Sequence, residues 1–182
     1  MEEIQDDKLI IIFREGREEY AFTLIVKKYQ KKLYYHIRRM VKCHDDADDI
    51  LQNTLIKVWA GLKNFREEAS LYTWLYRIAT NETLTFLGKN KNVILVPVEK
   101  SAQISTTHSE GDSNVISGDE IYKKLEMAIE TLPDKQKIVF NMKYFDEMPY
   151  EEMSQVLDTS VGALKASYHH AVKKVEEYLT GN

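Results

Sequence analysis

Two neighbouring amphipathic patterns between residues 45 and 81 constrain the fold of this chain most strongly. In the first pattern, apolar residues recur every three or four positions and mark one face of a helix: Ala47, Ile50, Leu51, Thr54, Leu55, Val58, Trp59 and Leu62. Four aspartates crowd its start, where a helix dipole favours negative charge: Asp45, Asp46, Asp48 and Asp49. The second pattern has Leu71, Trp74, Leu75, Ile78 and Ala79 on one face, and Ser70 is its predicted N-cap. A helical hairpin follows, but the spacing alone indicates no function.

The composition is that of a globular helical protein. The 182 residues are 43% hydrophobic and 30% charged, which suits one domain or two small ones. The formal net charge is −4, which argues against a protein that binds nucleic acid through overall positive charge. The charge is uneven, because residues 1–96 carry sixteen Lys and Arg against fourteen Asp and Glu, whereas residues 119–182 carry eight against twelve.

A metal site, a disulfide and a membrane segment are not expected. Cys43 is the single cysteine, which excludes an intramolecular disulfide and indicates a reducing compartment. A Cys43-His44-Asp45 corner could be imagined around a metal, but no second cysteine or paired histidine completes it. The longest apolar run near the N-terminus, residues 9–13, is too short for a signal peptide or membrane span. We therefore expect a cytoplasmic protein.

The rest of the chain is predicted to be helical apart from one long stretch. Further helices are predicted over residues 4–14, 17–41, 119–132, 134–145, 149–157 and 161–179. Gly88 is a predicted C-cap and Asp134 a predicted N-cap. The stretch from Val93 to Gly118 is rich in Ser, Thr and Gly and has no period, so it is interpreted as a linker. The prediction is an all-α protein with two small helical domains, residues 1–92 and 119–182, joined by a flexible linker, residues 93–118.

The C-terminal domain contains a helix-turn-helix pattern. A short helix, the polar turn Asp158-Thr159-Ser160 and a longer helix follow one another. In DNA-binding proteins the second helix of such a pair enters the major groove. The alternative is an ordinary corner between two packed helices.

The order of residues within these patterns is more specific than their period. Residues 46–59 resemble the block DAEDLVQETFLKVW of bacterial sigma factors, and Phe65-Arg66 with residues 73–81 resembles the following block, FR…TWLYRIARN. Leu132-Pro133, Tyr144-Phe145 and residues 151–153, 160–165 and 170–171 resemble the second domain of the same proteins. The similarity covers nearly the whole chain and points to the small extracytoplasmic-function class of the sigma-70 family.

This resemblance implies three sets of binding residues. A face that docks on the β′ coiled coil of core RNA polymerase comprises Asp48, Asp49, Gln52 and Asn53. Residues that engage the −10 promoter element are Lys63, Asn64, Phe65, Arg66, Ser70, Tyr72, Trp74, Tyr76, Arg77 and Asn81. Residues of the helix-turn-helix that engage the −35 element are Ser160, Lys165, Ala166, Ser167, His169 and His170. Aromatic members of the −10 set could stack on unpaired bases, although Phe65 and Trp74 could equally be core.

The implied function is promoter-specific initiation of transcription without enzymatic activity or cofactor. The implied partners are core RNA polymerase, through its β′ and β subunits, promoter DNA and a membrane-bound anti-sigma factor, with no insertion of this chain into the membrane. No Gly-rich phosphate loop, nucleophile motif or metal constellation favours an enzyme. His169 and His170 stand in a helix where the family often has arginines, and they could simply be surface histidines. The alternatives are a two-domain helix-turn-helix regulator that binds DNA without polymerase, and a sigma-like scaffold kept for protein interactions.

Overall fold

The computed structural model of the chain describes residues 4–41, 43–93 and 118–181. These residues form eight helices: α1 (Asp6–Arg14), α2 (Glu18–Arg38), α3 (His44–Leu62), α4 (Leu71–Val93), α5 (Gly118–Glu130), α6 (Asp134–Tyr144), α7 (Tyr150–Leu157) and α8 (Val161–Thr180). The prediction of an all-α fold is confirmed. The predicted linker, apart from Val93 and Gly118, lies outside the described residues. Within the described parts, no helix is both long and apolar enough to span a bilayer.

The N-terminal unit consists of α1 to α4, with α2 at its centre. Helix α2 packs against α1, α3 and α4. It does so through residues spaced three or four apart, and the buried members of this stripe are Ala21, Ile25, Tyr29, Leu33 and Ile37. The predicted apolar face of α3 also points inward, although Trp59 stays 37% exposed at its edge against Phe22. The three- and four-residue spacing therefore predicted the buried face of α3 correctly.

The predicted helix ends are partly confirmed. Ser70 caps α4, since the backbone N–H of Thr73 donates to its Oγ at 3.0 Å. The C-cap prediction for Gly88 is wrong, because α4 continues to Val93. A glycine weakens a helix by only about 1 kcal/mol relative to alanine, which a packed helix tolerates. The N-cap prediction for Asp134 is also wrong. Pro133 holds that position, and Asp134 lies in the first turn of α6.

The C-terminal unit contains the predicted helix-turn-helix. Helices α5, α6 and α7 all pack on α8. The turn between α7 and α8 begins at Asp158, whose φ of 49° places it in the left-handed region. Ser160 then caps α8 by accepting from the Ala163 N–H at 3.3 Å. In the first turns of α8, Leu164 is buried, whereas Lys165 and Ala166 are exposed.

The two units pack on each other in this structure. Helix α7 lies against α4. Met148 and Met153 of the C-terminal unit belong to the same apolar cluster as Leu75 of α4. A smaller cluster within the C-terminal unit surrounds Phe140 and Ala171. No sequence pattern indicated this relative placement.

Candidate polymerase and nucleic-acid interface

The outward face of α3 carries the four predicted docking residues. Asp48, Asp49, Gln52 and Asn53 are all exposed. None of them forms an ion pair with another described residue. Ile56, one turn further along, is 66% exposed. Sequence reasoning missed Ile56, although an apolar residue that falls outside the buried stripe was a signal that could have found it.

The loop between α3 and α4 is held in a defined shape. The Arg14 guanidinium pairs with the Glu67 carboxylate at 2.6 Å and donates to the Phe65 carbonyl at 3.4 Å. Glu67 has a φ of 59°, a left-handed conformation that a non-glycine residue adopts only when its surroundings fix it. Of the predicted −10 residues in and beside this loop, those exposed to solvent are Lys63, Asn64, Arg66 and Ser70.

Trp74 and Phe65 lie at the base of this loop rather than free in solvent. Both are partly buried, and their ring centroids are 5.0 Å apart. The Trp74 ring also lies over Gly61, where an added Cβ would meet the tryptophan Cζ2 at 2.9 Å. Phe65 and Trp74 therefore pack beneath the loop without being fully buried.

Of the two tyrosines of α4, Tyr76 is buried and Tyr72 is partly exposed. Tyr76 is only 2% exposed and contacts the His36 ring at a centroid distance of 4.8 Å. Tyr72 lies 4.4 Å from the Tyr76 ring and is partly buried. Burial raises the pKa of Tyr72 to about 12 and raises the pKa of Tyr76 further, and the nearby Asp146 carboxylate adds to both increases. Both phenols are neutral at physiological pH, and Tyr76 offers no face to a base in this arrangement.

A cationic groove runs beside these tyrosines. Its volume is about 520 Å³, and it is lined by Lys27, Lys28, Lys31, Lys32, Tyr35, Arg39, Tyr72, Tyr76, Phe145 and Asp146. One of its ammonium groups, that of Lys28, pairs with Asp6 at 2.8 Å. A groove that joins ammonium groups to aromatic rings suits a nucleic-acid strand, because the cations attract phosphates and the rings can stack on bases. Sequence reasoning did not connect these lysines with the tyrosines of α4.

Arg77 and Asn81, the remaining −10 candidates, are exposed on α4. They lie on a different face of this helix from Tyr72 and Tyr76, which line the groove.

The −35 candidates lie on the first turns of α8. Ser160, Lys165, Ala166, His169 and His170 are exposed, and Ser167 is partly buried. The Lys165 ammonium lies 5.6 Å from the centre of the Tyr150 ring. This face carries one permanent cation and two histidines, so it offers hydrogen-bond donors to base edges with little phosphate attraction.

The structure adds no sign of a metal centre. Across the described residues, no three or more His, Cys, Asp or Glu side chains come together as ligands. His44, which was considered beside Cys43, has its Nδ1 2.7 Å from the Tyr34 hydroxyl.

Comparison with known proteins places both units in one family. The chain matches sigma-70 region 2 over residues 25–93 and sigma-70 region 4 over residues 122–175. It is 29% identical over 182 residues to the RNA polymerase sigma-H factor of Pseudomonas aeruginosa, covering 96% of this chain and 94% of that relative. It is 27% identical over 183 residues to the ECF RNA polymerase sigma-E factor of Haemophilus influenzae, covering 96% and 95%.

A solved structure shows the same fold. The sigma factor RpoE from Bartonella quintana, in complex with the anti-sigma factor NepR, superposes with a TM-score of 0.68. It is 21% identical, and the match covers 87% of this chain and 96% of that one. With both of its helical units matched, this chain belongs to the sigma-70 family and to its extracytoplasmic-function (ECF) group.

Proposed function

We propose that this sigma factor binds core RNA polymerase through α3, engages the −10 element with the α2–α4 side of its N-terminal unit, and reads the −35 element with α8. It acts in the cytoplasm and transfers no group itself, because RNA synthesis belongs to the polymerase. Residues 1–92, 93–118 and 119–182 then serve as the polymerase-docking and −10 domain, the linker and the −35 domain.

The exposed face of α3 is the observation that carries this proposal. Asp48 and Asp49 are exposed without an ion pair to any described residue, and Ile56 lies exposed on the same helix. Carboxylates around an apolar residue suit a basic protein surface, since charge steers the encounter and the apolar contact lowers the rate of dissociation. We add Ile56 to the docking residues.

The −10 role is supported by the loop and the groove together. Lys63, Arg66 and Arg77 offer exposed cations for phosphates, and Tyr72 offers an aromatic ring at the groove. Taking a base out of the duplex costs a few kcal/mol, and stacking on an aromatic ring returns about 1–3 kcal/mol per base. Phe65 and Trp74 act by holding the loop in shape.

The −35 role is supported by the capped, exposed start of α8, with Lys165 as its permanent cation. Because the C-terminal unit is net negative, its own affinity for DNA is low, and attachment to polymerase supplies the high local concentration it needs. The same charge disfavours the rival function, a regulator that binds DNA without polymerase.

An anti-sigma factor is the proposed regulatory partner. The similarity in fold to a sigma factor solved with its anti-sigma factor supports this part of the proposal.

Affinity for core polymerase tests the docking face. The Asp48→Ala/Asp49→Ala variant should bind core polymerase about tenfold or more weakly, because two carboxylates that face a basic partner are lost. The Glu176→Ala/Glu177→Ala variant removes the same charge from an exposed part of α8 and should bind as the wild type does. Fluorescence-detected titration measures both affinities, and circular dichroism checks that helicity is unchanged. Equal affinity for the two variants would refute docking through α3.

A further inference from the structure

The loop that joins α3 to α4, residues 63–70, has little backbone hydrogen bonding of its own. The N–H groups of Asn64 and Phe65 donate back to the last turn of α3, at 2.9 and 3.2 Å. Beyond them, residues 66–69 make no backbone–backbone hydrogen bond within the part of the chain that the structure describes. In this stretch Glu67 has a φ of 59°, which glutamate adopts less readily than glycine, asparagine or aspartate. Contacts from other parts of the chain therefore hold this part of the loop.

The corner between α1 and α2 supplies such contacts from both of its sides. Arg14 is the last residue of α1, and its Nη2 lies 2.6 Å from the Glu67 carboxylate and 3.4 Å from the Phe65 carbonyl oxygen. Glu18 is the first residue of α2, and its carboxylate lies 3.3 Å from the Lys63 ammonium. One nitrogen of Arg14 thus joins the side chain of Glu67 to the backbone two positions earlier.

Arg14 can support the loop because α1 is itself anchored on α2 and α3. The neighbouring Phe13 is only 6% exposed, and its ring meets the Trp59 ring edge-on at a centroid distance of 6.5 Å. At the other end of α1, the Asp6 carboxylate lies 2.8 Å from the Lys28 ammonium of α2. Since these contacts fix the backbone of Arg14, its guanidinium can fix the loop residues that it contacts.

We propose that Arg14 is a positioning residue for recognition of the −10 element. By holding Phe65 and Glu67, it sets the direction in which Arg66 between them leaves the loop. Helix α1 thereby influences −10 selection without contacting DNA. The proposal rests on the proposed −10 role of this loop and adds a residue outside the set that the family resemblance implies. Because an exposed ion pair contributes little to stability, its loss changes the shape of the loop rather than the fold.

Initiation by the holoenzyme, this chain bound to core polymerase, on a barcoded promoter library with a randomised −10 element tests this role. The measured quantity is the ratio of initiation on templates that the wild type prefers to initiation on templates with one changed −10 base. We expect Arg14→Ala to lower this ratio about threefold, because the loop samples more conformations once both contacts are lost.

Arg17→Ala is the matched control for Arg14→Ala. It removes the same charge from an exposed residue of the same corner, and the Arg17 guanidinium lies 4.5 Å from the centre of the Tyr20 ring. We expect this variant to keep the wild-type −10 ratio. Preference at a randomised −35 element should stay at the wild-type level in both variants. A parallel loss of −35 preference in Arg14→Ala would show general damage to the fold and overturn the proposal.

Glu67→Ala separates positioning from direct attraction of DNA. If Arg14 acts through Glu67, Glu67→Ala also lowers the −10 ratio, and the double variant lowers it no further than Arg14→Ala alone. If Arg14 instead bound a phosphate, Arg14→Ala would weaken initiation on all templates alike, and Glu67→Ala, which removes a negative charge, would strengthen it. Opposite effects of the two single variants would therefore overturn the proposal, as would additive losses in the double variant.

Trypsin cleavage after Arg66 reports the shape of the loop in the absence of DNA. In the full-length chain, Arg14→Ala should be cut after Arg66 about threefold faster than Arg17→Ala, because local opening of the loop gives the protease access to this bond. Each variant lacks one arginine of the same corner, and mass spectrometry identifies the cut. Equal rates of cleavage after Arg66 would contradict a supporting role of Arg14.

The promoter library also separates this proposal from the proposed function. If the wild-type holoenzyme selects a −10 sequence and Arg14→Ala selects it equally well, only the positioning role of Arg14 fails. If the wild-type holoenzyme shows no −10 preference, the proposed function itself fails.

Discussion

Single side chains decide which aromatic rings are available to DNA. Trp74 and Phe65 fill the space under the α3–α4 loop, and Trp74 reaches its position because Gly61 has no Cβ. The sequence predicted that one face of α4 would be apolar but could not separate rings that stack on bases from rings that support a loop. The position of Trp74 depends on its contact with Gly61, thirteen residues earlier in the chain. No sequence pattern marks this glycine as a contact of the tryptophan.

Two glycines in helices make a matched test of this contact. Gly61→Ala should lower the free energy of unfolding by about 1 kcal/mol, because the steric cost against Trp74 exceeds the gain in helix propensity. Gly88→Ala on α4, where nothing lies within 4 Å of an added Cβ, should raise it by about 0.5–1 kcal/mol. Urea denaturation followed by circular dichroism measures both changes. Opposite signs are expected, and a stabilising Gly61→Ala would show that the tryptophan ring is not held there.

At the scale of helices, periodicity predicted which faces are buried but not every end. The buried stripes of α2 and α3 follow directly from three- and four-residue spacing. The end of α4 was missed because Gly88 is a common terminator that helices also tolerate internally. The partners of the exposed faces were inferred only from the family resemblance, because periodicity shows where a polar face lies and not which partner it binds.

Substitutions on α8 test directly whether this helix recognises the DNA sequence of the −35 element. Lys165→Ala should reduce transcription by core polymerase about tenfold and relax −35 preference, because it removes the permanent cation at the start of the exposed face. Lys173→Ala removes the same charge two turns further along the exposed helix and should change neither. Transcription from templates that differ only at the −35 element measures both effects. Equal losses for the two variants would indicate general charge attraction rather than sequence reading.

At the scale of the whole molecule, the packing of one unit on the other was beyond sequence analysis. Asp146 and its partner His36 are 110 residues apart and lie in separately predicted domains. His36 lies on the buried stripe of α2 and Asp146 lies in a turn, and neither position indicates a contact between the two units. The burial of Tyr76, whose ring contacts His36 and Tyr72, was also missed. The individual helices could therefore be predicted from the sequence. The contacts between the two units could be found only in the structure.

Transcription by core polymerase from a pool of promoters tests the central claim most directly. With this chain added, core polymerase should start at a subset of templates that share particular −10 and −35 sequences, and without it these starts should be absent. The chain alone, titrated against the selected templates as duplex DNA, should bind them weakly. Selective initiation only in the presence of both components is the result we expect. Tight, specific duplex binding by the chain alone, with no selective initiation on adding core polymerase, would contradict the account and establish an autonomous DNA-binding regulator.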